Sequence, residues 1–195
     1  MRTTVHIFMF SVVMMLGLSE DAPKTLQRGG SRYRTPRPNN PNHRFHQLCR
    51  KAQNQYRVKH HAPPLKTNST LYILARGWAK RLAIQDDTKN VTHRPGKGLG
   101  ENIYWTTLST PPYEKYAQMA VDMWYEENVK YNYHQGGYSA ATSHFTQLVW
   151  ISSTQVGCGY SVSSSKTLYV VCNYYPQGNI EGKYKENVKP PSTYH

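Results

Sequence analysis

The sequence predicts an α+β domain with its helices first and an antiparallel hairpin last. Apolar residues recur at helical spacing in three stretches between Arg44 and Asn128. Two strand-like alternations, Val156–Val162 and Leu168–Tyr174, then close the chain around the polar loop Ser163–Thr167. A length of 195 residues fits one domain with a sizeable core.

The elements follow in order. Val5–Leu18 is an apolar run behind Arg2, too short for a comfortable transmembrane span. Small residues at Gly17-Leu18-Ser19 make residues 1–19 a cleaved secretory signal, with an uncleaved anchor as the alternative. Residues 20–42 form a basic linker or propeptide, with Pro36, Pro38 and Pro41 and no apolar periodicity. The folded domain is expected over 43–190, with a short tail at 191–195. Helix one covers about Arg44–Lys59, with Phe45, Leu48, Cys49, Ala52 and Tyr56 on one face, and Pro63-Pro64 prevents its continuation. Helix two covers about Ser69–Ile84 through Leu71, Leu74, Ala75, Trp78 and Leu82, with Asn68 as N-cap. A loop containing His93 leads to a strand over Glu101–Trp105. Pro111-Pro112 precedes helix three, about Tyr113–Asn128, whose inward face carries Tyr116, Ala120, Met123, Trp124 and Glu127. A Tyr- and Gly-rich loop spans Tyr131–Tyr138, and His144 then opens an apolar run closed by Trp150.

A hairpin centred on Ser165 sets Val162 opposite Leu168 and, in the same register, Cys158 opposite Cys172. Directly opposed residues are close enough for a disulfide, which agrees with an oxidising compartment. Cys49 is left as a buried structural thiol. Asn68-Ser69-Thr70 and Asn90-Val91-Thr92 are glycosylation sequons consistent with secretion.

Charge is strongly one-sided, with 24 Lys and Arg against 11 Asp and Glu. Lys24, Arg28, Arg32, Arg34, Arg37 and Arg44 concentrate the excess before and at the start of the domain. Such a tail suits an acidic glycan or membrane surface, or is simply solvated. No helix-turn-helix, zinc-finger or RNA-binding signature accompanies it, so nucleic acid is not expected as a partner.

Two carboxylates stand where burial is costly without a partner: Glu127 on the inward edge of helix three and Glu101 within an apolar strand. His93 and His144 are the partners on offer. Two histidines and two glutamates can hold a divalent metal such as Zn2+, the imidazoles as ligands and the carboxylates as ligands or orienters. The same four can equally form a metal-free hydrogen-bonded network.

Four stretches carry a family resemblance. Gly100-Glu101-Asn102-Ile103, the run His144–Trp150, the run Tyr169–Ile180, and Asn54–His60 followed by Pro63-Pro64-Leu65 resemble the signatures of the CAP superfamily. That superfamily comprises cysteine-rich secretory, antigen 5 and pathogenesis-related proteins. Trp124-Tyr125-Glu126-Glu127, Lys130–Tyr133 and Glu186–Pro191 are similar to its compact Golgi-associated pathogenesis-related subgroup. The resemblance implies a three-layer α-β-α sandwich with a small antiparallel sheet and a central cleft. It assigns His93, Glu101, Glu127 and His144 to that cleft, the histidines binding a divalent ion. The sequence departs from the pattern at Gln53, where a histidine is frequent. It has no Met-Gly start for myristoylation, and its basic extension has no counterpart in the subgroup.

The expected function is that of a secreted, extracellular binding protein. Tyr131, Tyr133 and Tyr138 resemble a caveolin-binding-type loop through which some family members bind sterols, and amphipathic tyrosines suit such a ligand; they can equally cover the sheet. Fatty-acid binding is also implied by the resemblance. Ser139 and Ser143 stand near His144 without a nucleophile elbow, so no catalytic residue is assigned. The alternatives are a metal-dependent hydrolase using the same cleft and adhesion to acidic surfaces through the tail.

Overall fold

The computed structural model describes residues 40–192. The expected signal (1–19), the linker up to residue 39 and residues 193–195 of the tail lie outside the described residues. Helix α1 spans Pro41–Lys59, starting two residues before the expected domain boundary. Pro41 and Asn42, assigned to the linker, are therefore helical. The reason is local: Asn40 caps the helix by accepting from Asn42 N, and Pro41 stands where its missing N–H costs nothing. Strand β1 is the short Lys66–Thr67, and α2 spans Ser69–Gln85. Asn68 caps α2 through Oδ1, which accepts from the backbone N–H groups of Thr70 and Leu71. Strand β2 covers Gly100–Thr106, α3 Lys115–Glu126 and α4 Ser143–Val149. A 3-10 turn over Glu127–Lys130 replaces the expected last turn of helix three. Strands β3 (Gln155–Val162) and β4 (Leu168–Tyr175) form the hairpin, and α5 is the single turn Tyr184–Asn187.

The strands form one sheet in the order β1-β3-β4-β2. Pairing is antiparallel except for β1, which runs parallel to β3. The hairpin register sets Val162 against Leu168 and Cys158 against Cys172, and the latter pair is disulfide-bonded. Cys49 is a buried free thiol.

Both faces of the sheet are covered, which makes three layers. Val156, Cys158, Leu168, Val170, Cys172 and Tyr174 pack against α1, α3 and α4. Ile103, Tyr169 and Val171 pack against Ala75, Ala79, Leu82 and Ala83 of α2. This explains why β4 is almost continuously buried rather than alternating. Helix α2 lies unusually close to β3 because Gly157 and Gly159 have no side chains. A Cβ on Gly157 would fall on backbone atoms of Leu71 and Tyr72, and one on Gly159 would collide with Arg76.

Helix α1 carries two buried stripes. Phe45, Cys49 and Ala52 form the apolar one. His46, Gln53 and Arg57, continued by His60 just past the helix end, lie at spacings of seven, four and three and form a polar one with each residue at most 1% exposed. Polar groups so deep need partners. His46 Nδ1 accepts from Cys158 N, while its Nε2 donates to Thr67 Oγ1. Arg57 donates to four main-chain carbonyls. His60 Nδ1 donates to Lys189 O, leaving Nε2 to accept from the Tyr125 hydroxyl. The stripe thus ties α1 to the sheet, to the end of α4 and to the C-terminal segment.

Candidate functional site

His144 lies in the first turn of α4. The rest of that helix is anchored by burial: Phe145, Leu148 and Val149 are fully buried, as nearly is Trp150 just beyond it. Each such side chain contributes roughly 1.5–3 kcal/mol. Glu127 meets this helix from the 3-10 turn after α3. Its Oε2 accepts from the backbone N–H groups of His144 (3.0 Å) and Phe145 (3.1 Å). Its Oε1 accepts from His144 Nδ1 at 2.7 Å. One carboxylate therefore caps α4, where negative charge is favoured, and orients the imidazole. The indole of Trp124 lies nearly parallel to that ring, with centroids 6.5 Å apart.

A second pair is built the same way. His93 Nδ1 donates to Glu101 Oε1 at 2.8 Å, and Arg94 N donates to the same oxygen at 3.0 Å. Glu101 sits on β2 opposite Asn173 of β4. With its amide nitrogen turned toward Glu101, Asn173 donates to Oε2 at 3.0 Å. The Glu101 side chain is 8% exposed and that of His93 42%. The next residue on β2, Asn102, donates to the main-chain carbonyl of His144 at 3.0 Å. The start of β2 thus contacts both pairs, Glu101 through its carboxylate and the neighbouring Asn102 through the main chain of His144.

In both pairs the carboxylate takes Nδ1, so the nitrogen left to bind a metal is Nε2. A carboxylate behind a histidine fixes its tautomer and raises its basicity as a ligand. The glutamates are placed as orienters. Among the described residues, three or more His, Cys, Asp or Glu ligand atoms lie within 4.8 Å of one another only at Cys49, Cys158 and Cys172.

The tyrosine loop is largely packed into the domain. Tyr131 is 8% exposed and packs edge-on against Tyr133 and Phe145. Tyr133 also contacts Phe145 and stacks on His60. Tyr138 alone of the three is exposed. At the sequons, Asn90 is exposed, whereas Asn68 Nδ2 donates to Gln155 at 2.6 Å and is engaged in the fold. The parts that sequence reasoning missed are Asn102, Asn173 and the buried polar stripe of α1. Asn102 lies within the quoted motif Gly100–Ile103, the one signal that could have found it.

The family model "CAP: Cysteine-rich secretory protein family" matches residues 50–174. The chain belongs to the CAP family. "Golgi-associated plant pathogenesis-related protein 1" from Homo sapiens is 36% identical over 152 residues, covering 75% of this chain and 94% of the relative. "Secreted protein RBT4" from Candida albicans is 35% identical over 144 residues, covering 71% of this chain but 36% of the relative. The CAP fold is seen in the crystal structure of NaASP2 with Zn2+, at a TM-score of 0.57 and 22% identity over 79% of this chain and 90% of that one. Among the described residues, no helix of this CAP domain is long and apolar enough to cross a membrane.

Proposed function

We propose that this CAP domain is a secreted binding protein that holds a divalent metal, zinc foremost, on His93 and His144. The observation that carries the reading is the pair of carboxylate–histidine hydrogen bonds, 2.8 Å and 2.7 Å, which both engage Nδ1 and leave the Nε2 lone pair as the metal ligand. The residues fit such an ion: imidazole is a preferred zinc ligand, and both rings are pre-oriented. A bound ion would supply a fixed positive charge and Lewis acidity in the cleft. Glu101 and Glu127 would hold the imidazoles in register, and the apolar remainder of α4 would keep His144 in place.

A binding role fits better than hydrolysis by a side-chain hydroxyl. The Ser143 hydroxyl donates to Ala140 O, and the Thr146 hydroxyl donates to Asn179 Oδ1. Both nearby hydroxyls thus serve local structure. The lipid reading draws support from the exposure of Tyr138 alone; a sterol on this loop would have to displace Tyr131 and Tyr133 from Phe145. Adhesion through the basic tail remains a separate proposal, and its binding to acidic glycans should collapse as salt rises.

Calorimetric titration of zinc into wild type, His93→Ala and His144→Ala tests the site. One zinc per chain is expected for wild type, with affinity lost in both variants. Unchanged affinity in either variant removes the shared site.

A further inference from the structure

We propose that the reduced chain has a second metal site, for a thiophilic d10 cation such as zinc, built from Cys49, Cys158, Cys172 and Gln53. It shares no residue with the His/Glu cleft, and it exists only when the Cys158–Cys172 bond is open. The three sulfurs come from α1, β3 and β4 and lie within 4.8 Å of one another. All three residues are 0% exposed. Zinc–thiolate bonds of about 2.3 Å set sulfurs roughly 3.8–4 Å apart around one ion. Opening the disulfide and moving the side chains by about an ångström reaches that spacing.

Gln53 is the observation that points to a ligand. It is 0% exposed, and its Nε2 donates to Cys158 Sγ at 3.4 Å and Cys172 Sγ at 3.6 Å. Its Oε1 is buried without a hydrogen-bond partner. A buried amide oxygen left unpaired is costly. Oε1 now points away from the sulfurs; turning the amide over would present it to an ion held by them, giving the four donors that a tetrahedral ion takes, and would put Nε2 in its former place. Cys49 meanwhile makes only a long contact of 3.7 Å to Ala117 O, so binding an ion forfeits little.

The chemistry balances. A dithiol, itself closing to a disulfide, or a phosphine with water, leaving as the phosphine oxide, supplies two electrons and two protons and opens the disulfide to two thiols. The ion then displaces one proton from each of three thiols, forming three metal–sulfur bonds. Burial raises the Cys49 thiol pKa well above its ordinary value, and coordination is what would offset it, because a bound thiol is deprotonated. The closed disulfide excludes the ion, so oxidation and metal binding are alternatives at one place.

The test uses cadmium as the probe on the full chain, reduced anaerobically with a phosphine, with circular dichroism recording the fold. One cadmium per chain is expected at the cysteines, beyond any held by His93 and His144, with an ultraviolet sulfur-to-cadmium charge-transfer band. The oxidised chain should lack the band. Cys49→Ala should weaken binding at least about tenfold, and the His93→Ala/His144→Ala double variant should retain the band. As a second measurement, alkylation read by mass spectrometry should find all three cysteines protected together by cadmium. No band in the reduced wild type, equal binding by Cys49→Ala, or a chain that stays unfolded when reduced in cadmium would each overturn the proposal.

Discussion

Replacing Arg57 with methionine should destabilise the core and loosen the helix that carries His144. Arg57 is fully buried, and among the described residues no carboxylate is ion-paired with it. Its Nε donates to Pro63 O at 2.9 Å, its Nη1 to the carbonyls of Leu148 and Trp150 at 2.9 Å each, and its Nη2 to Ser153 O at 2.8 Å. Burial lowers its pKa to about 10, which still leaves it charged at neutral pH. Four hydrogen bonds to a charged group are worth roughly 6–12 kcal/mol in all at about 1.5–3 kcal/mol each. Desolvating the cation offsets several kcal/mol of this. Methionine fills much of the volume but leaves four carbonyls without their donor, so a net loss of about 3–5 kcal/mol is expected. That is a large share of the roughly 5–15 kcal/mol typical of a domain. Urea unfolding of the full chain at neutral pH measures the loss, and amide hydrogen exchange at Phe145–Val149 reports α4 directly. A loss below about 1 kcal/mol, with unchanged exchange in α4, would refute the reasoning.

Other consequences are equally specific. Burial, then the charges of Arg50 and His43, lower the His46 pKa from 6.5 to about 4. Between those values the unfolded chain binds a proton that the folded one does not, so stability should rise with pH; acidification from pH 6.5 to 4 should cost about 3 kcal/mol through this residue. Urea unfolding at both pH values, for wild type and His46→Asn, checks this, and an equal pH dependence in the variant would contradict it. Glu127→Gln should weaken zinc binding by about 10–100-fold, measured by calorimetry. Gly157→Ala should cost about 3 kcal/mol or more because backbone, not a flexible side chain, occupies the space; a thermal melt reads it.

Apolar periodicity and turn residues were enough to place α1–α3, β2 and the hairpin. The disulfide register was legible because an odd-length polar loop centred on Ser165 leaves one symmetric pairing. Strand β1 was not, since two exposed residues carry no pattern. The polar stripe of α1 was missed for a physical reason. His46, Gln53, Arg57 and His60 have the polarity of a solvent-facing set, and tertiary acceptors such as the Leu148 and Trp150 carbonyls for Arg57 are what allow the burial. At the site, the carboxylates were legible through the cost of burying them. What was not legible was the second task of Glu127, because an N-cap drawn from another element leaves no local signature at Thr142 or Ser143.

That second task bears on how the histidine is held. A seven-residue helix is too short to persist by its own propensity. The carboxylate of Glu127 satisfies two amides at its N-terminal end, and the guanidinium of Arg57 satisfies the Leu148 and Trp150 carbonyls at the other. The signs match the helix dipole at both ends. His144 is therefore positioned by two charges of opposite sign brought in from α1 and from the turn after α3. Its direction depends on how those elements pack, more than on the loop before it. Changes in Tyr138 or Ser139 should leave the imidazole in place, whereas a shift of α1 along its polar stripe would move it.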